Sequence, residues 1–429
     1  MPGYRGRIVL AGMRGRARVA IGLALIATAA CSRGSSGDAT NAPRIRLWHT
    51  FNPAETEALN EVLSARGGTH QVESTLLPFQ RGQTILREVV ESGADCPDLV
   101  RIDATWIPEL ARAGLLAPVP PEVAAERRWL AEAADLARDR GVEYALPQSI
   151  DGLALIYKEA AVGAVDWPPP TVNALIATAR RLTEGGNHGL GVRVDGYWFA
   201  AFLRGWGGEL LDPSTGYLGI DRPIAGQSLD RFAEFFGARG IAGPPPPSGN
   251  EAQDEVRRFR AGALAVVMNG PWAATDLGAG DLGGLGVAPF PPGPDGRPAA
   301  PRGGQMFAVP SCAREPAAAW ALALELTAPG LQASWARRFG VVPTTEAALA
   351  DAGPFSQAFY RALQQARPLP RHPISAEIFD DLNPAIAAVV AGDATSAEAL
   401  GGAVRAWTRL LVRHGLVAHT PPDAGTANP

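Results

Sequence analysis

From residue 44 the chain alternates apolar and polar positions, Arg44-Ile45-Arg46-Leu47-Trp48-His49-Thr50-Phe51, the period of a strand with one covered face. Asn52-Pro53-Ala54-Glu55 follows at once and offers an N-cap, a proline at the first helical position and a glutamate at the third. The pattern therefore predicts strand, turn and helix in succession, and the unit recurs. A strand at 72–77 leads through Pro78-Phe79-Gln80-Arg81 into a helix ending near Gly93. A strand ending in Asp103 leads through Thr105-Trp106-Ile107-Pro108 into a helix that stops at Gly114. Residues 144–158 read as a long β-rich passage, and Pro168-Pro169-Pro170-Thr171 precedes an amphipathic helix running to Leu182. The strand at 189–194 delivers Asp195-Gly196-Tyr197-Trp198-Phe199 at a turn into the next helix. Ser248 and Glu251 have the spacing of a capping box for a helix that ends at Gly262. An apolar strand, 263–268, then turns at Asn269-Gly270-Pro271 and presents Trp272 at the start of a helix. Strands at 285–290 and 303–310, helices at 315–327 and 331–338, and a helix carrying Ile378-Phe379-Asp380-Asp381 complete the pattern.

Strands alternating with helices predict an α/β architecture. A chain of 429 residues exceeds one ordinary core, so two domains are expected. A hydrophobic content of 46% and a net charge of −4 describe a soluble globular protein and leave no nucleic-acid footprint. The first thirty residues read as a targeting signal: Arg5, Arg7, Arg14, Arg16 and Arg18 precede an apolar run, 19–30, of about a dozen residues, too short to span a bilayer comfortably. No later segment is long and apolar enough to cross a membrane. Of the three cysteines, Cys31 closes the leader at Ala29-Ala30-Cys31. Cys96 and Cys312 remain as an even pair in an oxidising compartment and are expected to form a disulfide; their spacing fits no metal site. The tail, 416–429, is rich in Pro, Gly and Ala and is expected to be disordered.

Enzymatic constellations do not assemble. No Gly-x-Ser-x-Gly elbow, His-Glu-x-x-His pair or phosphate loop occurs, and the six histidines are scattered singly. Gly278-Ala279-Gly280-Asp281-Leu282-Gly283 fits a dinucleotide pattern literally, but no strand leads into it and a strand, not a helix, follows. Neither a cofactor nor a metal is implied. What stands out instead is a set of aromatic and polar side chains at strand ends, where ligands bind in open α/β sheets. Trp272 is the leading candidate for a stacking platform, and Tyr197 and Trp198 are presented at a similar turn. His49, Phe51 and Asn52 sit at the carboxyl end of the first strand. Asp151, an acidic residue inside a β-rich crossing, needs hydrogen-bonding partners.

The segment Phe259-Arg260-Ala261-Gly262-Ala263-Leu264-Ala265-Val266-Val267-Met268-Asn269-Gly270-Pro271-Trp272 closely resembles one found late in the bacterial extracellular solute-binding proteins of sugar ABC importers, the maltose-binding type. Pro97-Asp98-Leu99-Val100, followed by Asp103, Trp106 and Ala113-Gly114-Leu115-Leu116, resembles the same family, as do 148–158 and Gly303-Gly304-Gln305-Met306. The resemblance covers nearly all of Arg44 to about Arg413. It implies a periplasmic binding protein type II-like fold: two α/β lobes joined by a hinge of crossing segments. The first lobe is expected at 43–148 plus 285–345 and the second at 149–284 plus 346–415. The implied ligand set is His49, Phe51, Asn52, Gln80, Arg81, Asp103, Trp106, Asp151, Tyr197, Trp198, Trp272, Gly304, Gln305, Arg371 and Phe379. Phe379 occupies what looks like a tryptophan position and Asn383 an arginine position, which weakens specificity for maltose. Ala29-Ala30-Cys31 resembles a lipoprotein cleavage site, with Thr28 in place of the usual leucine-like residue; an ordinary secretory signal with an incidental cysteine is the other reading. On the first reading 1–30 is a signal peptide, Cys31 carries lipid and 31–42 is a tether. The expected protein is an exported monomer, anchored to the outer face of the cytoplasmic membrane or periplasmic, that passes a sugar to permease subunits and binds no nucleic acid. Arg81 and Arg371 keep a sugar phosphate or other small anion open as ligand. A polyamine as ligand, or a glycan-active enzyme in place of a receptor, also stays open.

Overall fold

The computed structural model describes residues 44–66, 71–212, 216–246, 250–278 and 280–416. The signal peptide, Cys31, the tether to residue 42, Ser248 and the tail from 417 lie outside the described residues. In chain order the strands are β1 (Arg44–His49), β2 (Gln71–Leu76), β3 (Leu99–Asp103), a short hairpin β4 (Arg138–Asp139) and β5 (Val142–Glu143), β6 (Ala145–Gly152), β7 (Ala154–Tyr157), β8 (His188–Gly191), β9 (Leu264–Asn269), β10 (Gly286–Ala288), β11 (Pro301–Ala308) and β12 (Arg367–Pro368). They assemble into two main sheets. The first has the order β12-β11-β3-β1-β2, with β6 paired to β11; the second has the order β10-β7-β9-β8.

The opening unit forms as its residues dictate. Asn52 Oδ1 accepts the Glu55 backbone N–H at 2.9 Å and Glu55 Oε2 accepts the Asn52 N–H at 3.1 Å, a complete capping box on the helix Pro53–Ala65. Ile45, Leu47 and Leu99 point from β1 and β3 into a core closed by Phe307, Trp320, Trp335 and Phe339. The helices Pro316–Leu326 and Pro329–Phe339 supply those last three rings. Around the second sheet the helix Gly196–Gly205 is held by a cluster of Phe199, Phe202, Phe232, Phe235 and Phe290, with ring centroids 5.0 to 5.5 Å apart.

The two sheets are joined through β6 and β11, which run antiparallel along most of their length. The passage expected at 144–158 is two strands, β6 and β7, separated by Leu153 alone, so the chain leaves one sheet and enters the other within a residue. Gly152 makes that possible: its φ is +151°, and a Cβ there would overlap the Pro301 carbonyl oxygen. Two of the expected lobe boundaries need correction. The edge strand β10 pairs antiparallel with β7, so the segment opening at 285 belongs with the second sheet. Conversely, β12 pairs with β11 in the first sheet although it lies beyond residue 346. Both strands are edge strands of two or three residues, and nothing in so short a pattern encodes which sheet it joins. The helix expected to begin near Ser248 runs Glu251–Arg260, with Asn250 at its N-cap.

Replacing Gly152 with alanine forces a methyl group against backbone at the crossing. It should lower unfolding stability by about 1–3 kcal/mol, the cost typical of an overpacked interior site. An unchanged midpoint in chemical denaturation would show that the crossing tolerates a side chain.

Candidate functional site

Strand β3 is apolar except for two residues. Arg101 and Asp103 are two apart, so they lie on one face of the sheet. The antiparallel register sets Gln305 of β11 opposite Asp103, and sets Ser149 and Asp151 of β6 opposite Gln305 and Gly303. These three strands thus converge on one polar centre. Gln305 Nε2 donates to Asp103 Oδ2 at 2.9 Å and to Asp151 Oδ2 at 3.3 Å, while its Oε1 accepts from Arg101 Nη1 at 3.2 Å. Arg101 is buried; its Nε donates to Gln148 Oε1 at 3.0 Å, its Nη1 to Thr50 Oγ1 at 2.9 Å, and its guanidinium lies 4.0 Å above the Phe51 ring. Asp103 Oδ1 accepts both the backbone N–H and the hydroxyl of Thr105, at 2.8 and 2.6 Å, so it caps the turn as well as facing Gln305.

Two carboxylates bridged by one amide in a buried place resist double ionisation. Burial, and then the charge of Asp103, push the Asp151 carboxyl up to about 7. Burial raises Asp103 as well, against its bonds to Thr105 and Gln305.

The helix Gly196–Gly205 brings the aromatic half. Asp195 caps it through the Tyr197 N–H, and Asn383 ties its start to the helix Ile378–Ala391 by accepting the Gly196 N–H at 2.7 Å and donating to Asp195 Oδ2 at 3.2 Å. Tyr197 lies 6.4 Å from Phe379 and 6.0 Å from Trp198, and Trp198 lies 6.5 Å from Trp272, all edge to face. Gly303 is where the halves meet: a Cβ built on it would fall 2.8 Å from Asp151 Oδ1 and 3.8 Å from the Tyr197 hydroxyl. Trp198 is 6% exposed and its indole N–H donates to the Met268 carbonyl at 2.6 Å, whereas Trp272 is 36% exposed. Trp272 is therefore the presented ring and Trp198 its support.

Asp103, Asp151, Gln305, Tyr197, Trp198, Phe379 and Trp272 are thus gathered in one linked group. Other expected contacts are placed elsewhere. His49 and Phe51 are turned into the core; His49 Nδ1 accepts the Phe51 N–H at 3.4 Å, and burial, with Arg101 nearby, lowers its pKa to about 4, so it is neutral. Phe51 packs edge-on against Trp335 at 5.0 Å. Asn52 is spent on its cap. Trp106 is buried beneath Phe79, 5.9 Å away, and against Gly82. Gln80 and Arg81 lie exposed at the start of the helix Phe79–Ser92. Arg371 is paired with Asp135. At Gly304 a Cβ would lie 2.5 Å from the Ser149 carbonyl oxygen, so close strand contact alone requires the glycine. Cys96 and Cys312 are bonded, with Cα atoms 6.0 Å apart. Arg101, Gln148 and Thr50 are absent from the set expected from sequence. A signal for Arg101 exists: a lone guanidinium inside Leu99-Val100-Arg101-Ile102 needs a buried acceptor set.

Two sheets linked by crossing strands, with aromatic and acidic groups facing each other where they cross, define the architecture of a two-lobed solute receptor. The sequence profile of the bacterial extracellular solute-binding proteins matches residues 52–333, and the chain belongs to that family. It is 25% identical over 359 residues to the maltotriose-binding protein of Pyrococcus abyssi, covering 80% of this chain and 76% of that one. Among solved structures, the GacH receptor of Streptomyces glaucescens, studied unliganded and with acarbose, is 26% identical and superimposes with a TM-score of 0.76 over 87% of this chain and 99% of its own. The maltotriose-binding protein of Thermus thermophilus, solved with maltotriose, shares the fold at 23% identity, with a TM-score of 0.72 over 86% of this chain and 100% of its own. The fold is the two-lobed α/β fold of periplasmic binding proteins.

The raised Asp151 pKa has a stability consequence. Between the ordinary carboxylate range and pH 7 the folded state holds a proton that the unfolded state releases, so this site stabilises the fold fully below about pH 4 and loses that contribution as pH rises through about 7. Asp151→Asn should flatten the fall in melting temperature between pH 5 and 8 relative to the parent. Parallel pH profiles for the two proteins would show that Asp151 titrates normally.

Proposed function

We propose that the chain is the substrate-binding component of an ABC importer, capturing a mono- or oligosaccharide between its lobes and delivering it to membrane permease subunits. The observation that carries this reading is the exposed Trp272 ring set in the same linked group as Asp103, Asp151 and Gln305. A pyranose has a flat C–H face and a rim of hydroxyls. Trp272 offers the first an apolar plane, while carboxylate and amide oxygens accept from the second and the Gln305 amide donates to it. The relatives support the same class, since they bind maltotriose or acarbose.

Capture works by differential affinity. The polar half stands on strands of the crossing and the aromatic half on the second lobe, so a sugar that touches both is bound best when the lobes approach, and it shifts the open–closed equilibrium by that difference. The closed form is what the permease would read. The chain acts as a carrier, without catalysis. An anionic ligand is poorly served here, because Arg101 is committed within the protein and Arg371 is paired with Asp135. Export and attachment through lipid on Cys31 fit this role, as does a Cys96–Cys312 disulfide formed outside the cytoplasm.

In a thermal-shift series across maltose, maltotriose, other sugars, sugar phosphates and amines, neutral gluco-oligosaccharides should raise the melting temperature by mass action. Trp272→Ala should weaken calorimetric binding of the best sugar by about 2 kcal/mol, roughly thirtyfold, as expected for a stacking anchor. Undiminished affinity would make Trp272 structural. Thiol titration of the unreduced mature protein should find neither Cys96 nor Cys312 free.

A further inference from the structure

Two neighbours decide where the Trp272 ring lies: the backbone it folds back over and the ring it rests against. A Cβ built on Gly270 would fall 2.1 to 2.4 Å from three atoms of the Trp272 ring, so the indole lies directly on the Gly270 backbone and moves with it. The same indole meets Trp198 edge to face at 6.5 Å. Both supports lead back to one side chain, Glu255.

The first link runs through Asn269, the last residue of β9, which is fully buried. Its Oδ1 accepts the Gly270 N–H at 2.7 Å, and its Nδ2 donates to Glu255 Oε2. An amide can be seated either way round, but a carboxylate accepts only from the nitrogen end, so Glu255 turns the Asn269 oxygen toward Gly270. The second link runs through Arg193, two residues past β8. Its Nη2 and Nε donate to the same Glu255 oxygen at 3.0 and 3.3 Å, and its guanidinium lies 4.8 Å from the centre of the Trp198 ring. Trp198 is pinned in turn by the bond from its indole N–H to the Met268 carbonyl, one residue before Asn269. Glu255 stands on the helix Glu251–Arg260, is buried, and has its other oxygen, Oε1, enclosed without a partner. It acts through Asn269 and Arg193 rather than on a ligand.

We infer that Glu255 is a positioning residue for sugar capture: one carboxylate oxygen fixes both the turn beneath the Trp272 ring and the ring beside it. The inference rests on the reading of Trp272 as the sugar platform and adds the side chain that keeps the platform in place. A ring already seated when the sugar arrives loses little freedom on binding, whereas a loosened one must be ordered by the ligand. Loss of Glu255 should therefore appear as lost affinity although no contact with the sugar is removed.

The test is a double-mutant cycle on the mature protein, with maltotriose as ligand and calorimetry as the readout. Glu255→Gln keeps the shape of the side chain but removes the charge that holds Arg193 and weakens the acceptor offered to Asn269. It should weaken maltotriose binding about fivefold in the parent and less than about twofold in Trp272→Ala, because a positioning residue has nothing to act on once the ring is gone. Melting temperature should fall equally in both backgrounds, which separates the loss of stability from the loss of positioning. Arg193→Gln removes the guanidinium from the Trp198 ring at a partly exposed side chain; its effect should depend on Trp272 in the same way, and it decides the matter should Glu255→Gln fail to fold. Equal weakening in both backgrounds, or none in the parent, overturns the positioning role and leaves sugar capture standing. Maltotriose bound as tightly by Trp272→Ala as by the parent, or not bound by the parent, overturns the platform reading and this inference with it.

Discussion

A buried guanidinium has to be fully answered, and the way Arg101 is answered sets the rest of the site. It bonds Gln148 and Thr50, lies over Phe51, and gives a remaining N–H to Gln305 Oε1. Because that contact fixes which end of the Gln305 amide faces inward, the amide nitrogen is directed at Asp103 and Asp151. The pair of carboxylates is then held together by a donor and by a nearby positive charge, without which two buried acids at this separation would repel. The inward turn of Phe51, which buries its ring against Trp335, belongs to the same arrangement.

The strands that carry this centre are also the strands that join the lobes. Asp151 is the last residue before Gly152, and Gly303 and Gln305 lie across from it on β11. The aromatic half comes wholly from elements packed around the second sheet. A ligand bridging the halves would therefore lie beside the crossing from the first sheet to the second. That position explains why so many constraints coincide within a few residues: a glycine that can adopt φ +151° at 152, a glycine at 303 that leaves room beside Asp151 and Tyr197, and a carboxyl whose protonation is finely balanced.

Local chemistry is well written in the chain. The Asn52–Glu55 capping box, the strand into Trp272 and the turn at Asp195 can be read because each depends on residues within four or five positions. Asp151 stands out because a carboxylate within an apolar crossing demands partners. What sequence does not show is direction. His49, Phe51 and Trp106 sit at strand ends as expected, but which side a ring turns to depends on the helices laid against it, here those carrying Trp335 and Phe79. Arg101 escapes notice for the related reason that its acceptors, Gln148, Thr50 and Gln305, come from three separate strands or turns. The assignment of β10 to the second sheet depends likewise on long-range pairing with β7.

The central claim is that a sugar bridges the carboxylate pair and the Trp272 ring. A crystal structure of the mature protein with maltotriose tests it most directly. The account requires one pyranose face against Trp272 and hydroxyls of the same ligand within hydrogen-bonding distance of Asp103, Asp151 or Gln305. A sugar bound away from this group, or Asp103, Gln305 and Asp151 still bonded only to one another with ligand present elsewhere, would contradict it.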